Sequence, residues 1–267
     1  MLIETHCHLD YLKAYTLEEI REKIKEAGIT KVVTIGVDPG NLDKVLALAD
    51  QYPEIYFTQG IHPHDAKEAT TVEFDKIKSR SSHPKMVAVG EIGLDYHYNN
   101  SPPEIQKKVF EQQLQMAVDA DLPVVIHTRD ADEDTKSILR NFSSSLKRKG
   151  VIHSFTSTID LAQFCLHEGF HIGFNGIITF KKAENVQEVV KITPAERILF
   201  ETDSPFLTPV PHRGKENGPY FLPHVVSKIA ELKGMNEEIL REQVYKNSLL
   251  CFFKLNDLPL QGNIHQP

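Results

Sequence analysis

Apolar residues fall along this chain in short dense runs, separated by longer stretches in which they recur at helical spacing. Leu2 and Ile3 open the first run. Lys31–Val37, Ile55–Gly60, Met86–Val89, Val124–His127, Val151–His153, His171–Phe174 and Arg197–Thr202 follow. Each is too short for a helix and reads as a buried strand. Between them Leu17, Ile20, Ile24 and Ala27, and later Ile105, Val109, Phe110, Leu114 and Ala117, mark helical faces. Further helices are predicted over about 42–52, 72–81, 138–146, 161–167 and 186–191, with two more, about 223–233 and 237–253, closing the pattern. Thr16 with Glu19, and Ser101 with Glu104, have the spacing of capping boxes. Eight strands alternating with helices predict a parallel sheet closed into an α/β barrel of the (β/α)8 type. No shift of composition marks a boundary. The expectation is one domain over residues 1–253, with a polar, turn-rich tail, 254–267, loosely held.

Composition narrows the class without naming the function. A length of 267 residues suits one such barrel, which needs about 250. No apolar run approaches the ~20 residues of a membrane helix, and the first residues lack a signal-peptide pattern. Three widely spaced cysteines, Cys7, Cys165 and Cys251, suit a reducing compartment, so a cytoplasmic protein with no membrane partner is expected. The net charge of −7 argues against a broad basic face for binding nucleic acid. It leaves open a small cleft that grips one end of a strand.

The polar residues at the strand ends carry the chemistry. His6 and His8 alternate on one strand, so both project to one side, about 7 Å apart along the chain, while Cys7 faces the other way and packs. Glu91, His127, His153 and Asp203 follow the fourth, fifth, sixth and eighth apolar runs. In such barrels the chemistry sits at this rim. These residues exceed the ligands one tetrahedral ion takes, so two divalent ions are expected. Glu91 is the natural bridge. His6, His8 and Asp203 would hold one ion, since the first and last strands are neighbours in a closed barrel, and His127 with His153 the other. Imidazole suits zinc or manganese, whereas carboxylate and water suit magnesium.

The segments THCHLD (5–10), GIHPHDA (60–66), GEIGLDYHY (90–98), VIHTRDA (125–131), HSF (153–155) and ETDSPFL (201–207) resemble the TatD family of metal-dependent deoxyribonucleases, among the amidohydrolase-like TIM-barrel hydrolases. The match runs from residue 2 to about 253. The resemblance implies a nuclease trimming single-stranded DNA from its 3′ end, and implies the same six metal positions. Glu4 departs from the aspartate that the first motif would carry. Asp203 is expected to act as ligand and as general base for the attacking water, with Glu91 beside it in catalysis. His62, His64, Arg129 and Arg213 are expected to bind the phosphate substrate, Arg213 within the basic, glycine-containing stretch 212–217. Tyr96 and Phe206 are candidates for base stacking, and Asp130 for capping the following helix with Glu133. Glu4 and Glu201, two residues before His6 and Asp203, are expected to point into the barrel beneath the ligands and to orient them or hold a proton near the site. The competing readings are a hydrolase of the same fold acting on an amide or an aminoacyl-tRNA ester, and a non-catalytic metal binder. The pattern leaves monomer and small oligomer open.

Overall fold

The computed structural model describes residues 1–256. Eight parallel strands follow one another in sequence order around a single sheet. They are β1 (Leu2–Cys7), β2 (Ile29–Gly36), β3 (Ile55–Gln59), β4 (Met86–Asp95), β5 (Val124–Arg129), β6 (Gly150–Ile152), β7 (His171–Phe174) and β8 (Ile198–Phe200). The helices between and after them are α1 (Leu17–Glu26), α2 (Leu42–Gln51), α3 (Thr71–Arg80), α4 (Pro103–Ala120), α5 (Asp132–Phe142), α6 (Ile159–His167), α7 (Glu184–Ile192), α8 (Leu222–Lys233) and α9 (Glu237–Cys251). The predicted (β/α)8 barrel is the observed fold, and it is a single domain.

Polar groups bring β1 to β8 where the sheet meets itself. Asp203 N donates to the His6 carbonyl at 2.9 Å, and the Thr5 hydroxyl to the Phe200 carbonyl at 2.8 Å. The buried Glu4 carboxylate accepts from both His6 N and Thr202 N at 3.0 Å. Glu4 therefore holds backbone to backbone across the seam, and it meets His6 through that residue's backbone N–H rather than through its ring.

Ile3, Val33, Val87, Val125, Val151 and Leu199 form one buried cluster with Phe252 and Leu255. By strand alternation Val125 shares a face with His127, Val151 with His153 and Leu199 with Glu201, so this cluster lies beneath the polar rim. A second cluster packs the strands against the helices.

Several local expectations are revised. Ser101 caps nothing: α4 begins after Pro102, while the Ser101 hydroxyl donates to the His64 carbonyl at 2.8 Å and accepts from Lys67 N at 3.0 Å. Thr16 does form its capping box, and Thr70 with Glu73 forms another. Asp130 does not cap α5, whose first flanking residue is Ala131; its carboxylate meets His97 Nδ1 at 2.9 Å. Phe253–Leu255 form a 3-10 turn with Leu255 buried, so the ordered fold extends past 253. The rest of the expected tail lies outside the described residues.

Candidate metal centre

The site grows from the way each strand ends. β4 continues through Glu91 and Gly93 to Asp95, pairing with β5 as far as Asp95 with Arg129. The two strands run so close that a Cβ on Gly93 would run into the His127 carbonyl. At the end of β8 the chain turns sharply, with Asp203 in the left-handed region at φ 56°. Aspartate tolerates that conformation better than most residues, and strained backbone of this kind clusters at functional sites.

These turns bring the predicted residues together. His6 Nε2 lies 3.4 Å from Glu91 Oε2 and 3.7 Å from Asp203 Oδ1, and His8 Nε2 lies 3.5 Å from the same Asp203 oxygen. On the other side, His153 Nε2 and His127 Nδ1 approach Glu91 Oε1 at 2.7 and 3.0 Å. The His6 and His153 rings stack in parallel, 3.9 Å between centroids. His6, His8 and Asp203 offer ligand atoms all within 4.8 Å of one another, as do His62, Glu91 and His127, and also His6, His153 and Glu201. The grouping differs in part from the expected one, because His62 joins His127, and His153 faces both Glu91 and Glu201.

The donor set fits divalent cations. Both nitrogens of His6, Nδ1 of His8 and Nδ1 of His153 are buried without a hydrogen-bond partner, a costly state that a ligand relieves. Burial raises the Glu91 carboxyl, but the surrounding imidazoles, His153 foremost, and hydrogen bonds from His127 and His153 outweigh it and hold Glu91 well below the usual carboxylate range. For Asp203 too, burial is outweighed, here by His8, His6 and His153. Both carboxylates are thus anionic and available.

Tautomers sort the remaining histidines. His62 Nδ1 accepts the backbone N–H of His64 at 3.1 Å, so the proton of a neutral ring sits on Nε2, which lies 3.4 Å from Glu91 Oε1. Burial pushes His62 down to about 4, which keeps it neutral. His62 is therefore a hydrogen-bond donor aimed into the site, not a lone-pair donor to a cation. For His127 the reverse holds: Nε2 faces Asp95 Oδ2 at 3.1 Å, leaving Nδ1 turned toward Glu91. A carboxylate behind a histidine is the usual way its metal-binding nitrogen is fixed. Burial opposes charge on His127, but its hydrogen bonds to Asp95 and Glu91 raise it to about 9. Cation binding there displaces a proton, which couples affinity to pH.

The other predicted residues are less central. His64 Nε2 joins Asp95 at 3.0 Å and does not reach Glu91. The Arg129 guanidinium lies 4.8 Å over the Tyr98 ring and lines a cleft of ≈ 1250 Å³ beside the centre, together with His97, Asp130, Asp132, Glu133 and Asp134. Arg213 packs 3.9 Å over Phe180, on a loop that is also held by His212 Nε2 against His224 Nε2 at 3.0 Å. The Tyr96 hydroxyl donates to Asp134 at 2.6 Å, and Tyr96 lines the same cleft as Arg129. Glu201 is buried beside His153, Oε1 lying 3.7 Å from His153 Nδ1 and accepting from Ser154 N at 2.5 Å. Burial, reinforced by Asp203, pushes Glu201 well up, and burial pushes Glu4 up to about 8. Asp95 was not foreseen as a site residue. The available signal was strand alternation, which carries the face of Glu91 through Gly93 to Asp95.

Residues 3–253 match the family model for TatD related DNase. The chain belongs to the TatD family. A Bacillus subtilis relative named uncharacterized metal-dependent hydrolase YabD is 40% identical over 253 residues, covering 94% of this chain and 99% of its own length. The 3′-5′ ssDNA/RNA exonuclease TatD of Erwinia tasmaniensis is 35% identical over 241 residues, covering 88% and 93%. The crystal structure of the Escherichia coli TatD homologue YJJV superposes with a TM-score of 0.89 at 28% identity, covering 94% and 98%. As a metal-dependent hydrolase of the TatD family, the chain presents His, Glu and Asp groups able to hold metal. No helix among the described residues is long and apolar enough to cross a membrane.

Proposed function

We propose that this TatD protein is a deoxyribonuclease that trims single-stranded DNA from the 3′ end, and that Glu91 and the residues around it would hold two divalent ions. The observation that carries this reading is the two-sided arrangement on Glu91. One oxygen faces His6, and the other faces His127, His153 and the donor nitrogen of His62. His6, His8 and Asp203 would hold one ion, and His127 and His153 the other. Magnesium, manganese and zinc are the candidate metals, and the imidazole-rich set favours the last two. When bound, the ions supply charge that neutralises a phosphodiester and lower the pKa of attacking water.

The chain's own groups divide the remaining work. Asp203 is anionic and lies at the rim, where it takes the proton of the water that attacks phosphorus. His62 donates its Nε2 proton in a hydrogen bond to a phosphate oxygen, while Asp95 holds His127 in place. Arg129 has no ion pair among the described residues and would meet the next phosphate. The bond between phosphorus and the 3′ oxygen of the penultimate nucleotide breaks, that oxygen takes up the proton Asp203 received, and a 5′-mononucleotide leaves. The relative named as a 3′-5′ ssDNA/RNA exonuclease supports this direction of digestion. The charge of −7 argues against a long basic duplex-binding face and leaves open a site that grips one strand end.

A 5′-labelled single-stranded oligomer incubated with Mg²⁺, Mn²⁺ or Zn²⁺ tests the proposal. The expected result is a ladder shortening from the 3′ end, absent with EDTA and with Asp203→Ala. An intact oligomer with each ion, from folded and metal-loaded protein, would overturn it and turn attention to amide and ester substrates.

A further inference from the structure

Two exposed rings flank the metal centre, and each is anchored three residues after a site carboxylate. Tyr98 follows β4, and its backbone N–H donates to Asp95 Oδ1 at 3.0 Å. Phe206 follows β8, and its N–H donates to the Asp203 carbonyl at 3.0 Å. In an eight-strand barrel ordered β1 to β8, β4 and β8 lie four strands apart, on opposite sides of the mouth. Each ring also touches an imidazole of the site. Tyr98 meets His64 edge-on at 5.4 Å, and Phe206 meets His8 edge-on at 6.0 Å.

A single exposed hydrophobic residue needs no explanation. Tyr98 and Phe206, however, are 57% and 52% exposed, and among the exposed large hydrophobic side chains described these two contact histidines at the site. Tyr98 is also braced by its neighbours. His64 and His97 stand against it edge-on, at 88° and 86°, and Arg129 covers it at 4.8 Å. An exposed aromatic face braced at the rim of a nuclease site is suited to stack on a nucleobase, and stacking tolerates any sequence because every base has a π-face.

We infer that Tyr98 and Phe206 form a stacking clamp for the two nucleobases on either side of the cleaved phosphodiester. This rests on the nuclease reading above and adds to it a reason for the preference for single strands. In a duplex the base faces are already covered by their neighbours, whereas in a single strand they can be splayed onto the two rings. The clamp holds the bases whatever their identity, which would set the phosphate between them against the Glu91 residues.

The test uses metal-loaded wild-type protein with Tyr98→Ala, Phe206→Ala and the conservative Tyr98→Phe and Phe206→Tyr. Substrates are a single-stranded DNA oligomer and two versions in which hydrogen replaces the base of the last or the penultimate nucleotide. Each alanine variant is expected to raise KM by about 10-fold, with a smaller change in kcat and unchanged metal content, while the conservative variants restore KM. Removing the matching base should raise the wild-type KM to a similar extent and add little further in that alanine variant, because ring and base form one interaction. If wild-type protein trims DNA but both alanine variants stay within about twofold, or the losses simply add, the clamp is wrong and the nuclease reading stands. If wild-type protein trims no single-stranded DNA with any ion, both fall together.

Discussion

The carboxylate of Asp95 accepts from His64 Nε2 and His127 Nε2 on one oxygen, and from the backbone of His97 and Tyr98 on the other. It is fully buried, yet these hydrogen bonds outweigh burial and hold it far below the usual carboxylate range. An asparagine there has the same shape but must turn its NH2 group toward one pair of donors, so it loses one side of the contact. Asp95→Asn is therefore expected to weaken metal binding by about 10–100-fold, the range seen when a partner behind a metal-bound histidine is removed. Calorimetric titration with Zn²⁺ would show this; affinity within a factor of about two of wild type would remove Asp95 from the site's support. The six residues proposed to hold metal were legible as candidates because histidine and carboxylate stand out at the ends of apolar runs. The roles of Asp95 and His62 were not, because they depend on which ring nitrogen faces which neighbour. Glu4 shows the same limit, since its two-residue spacing from His6 gave no sign that its partners would be backbone amides across the β1–β8 seam.

The strands were legible from their apolar runs, but the ends were not. β4 runs on to Asp95 because its ladder with β5 continues through polar residues, and hydrophobic patterning reports burial rather than backbone pairing. Capping was half legible: Thr16 caps α1 as its spacing predicts, whereas the proline pair 102–103 starts α4 and frees Ser101 for the loop after β3. β7 carries a further consequence at its first residue. His171 is buried, and burial with Arg197 nearby pushes it down to about 4. A depressed histidine is neutral in the fold while the unfolded chain takes up a proton near the ordinary value of about 6.5. Its contribution to stability is therefore complete above that value and is lost as pH falls toward 4, by about 2 kcal/mol between pH 7 and pH 5. Urea unfolding at the two pH values should show a smaller acid loss in His171→Gln than in wild type. Equal losses would mean that His171 stays accessible to protons in the fold.

Over the whole molecule the two ends of the barrel divide the labour. The rim gathers buried histidines and carboxylates, several of them unpartnered without a cation, so it contributes function at a cost in stability. The opposite end is apolar. The chain leaves α9 and folds Phe252 and Leu255, both 0% exposed, under the cluster of Ile3, Val33, Val87, Val125, Val151 and Leu199. Lys254 ties this segment to the Ser81 and His83 carbonyls, just before β4, and Arg148 stacks on Phe253 just before β6. These anchors lie at the starts of the strands, while the metal residues lie at their ends, so stability and chemistry should separate on mutation. Phe252→Ala removes a large side chain from a closed space and is expected to cost about 3–5 kcal/mol. Its denaturation midpoint should fall sharply, while metal stoichiometry and turnover at low temperature, where the variant is still folded, stay near wild type. A variant that kept its midpoint would show that the barrel floor is sealed without this ring. One that kept its fold but lost metal would show that the floor sets the geometry of the rim.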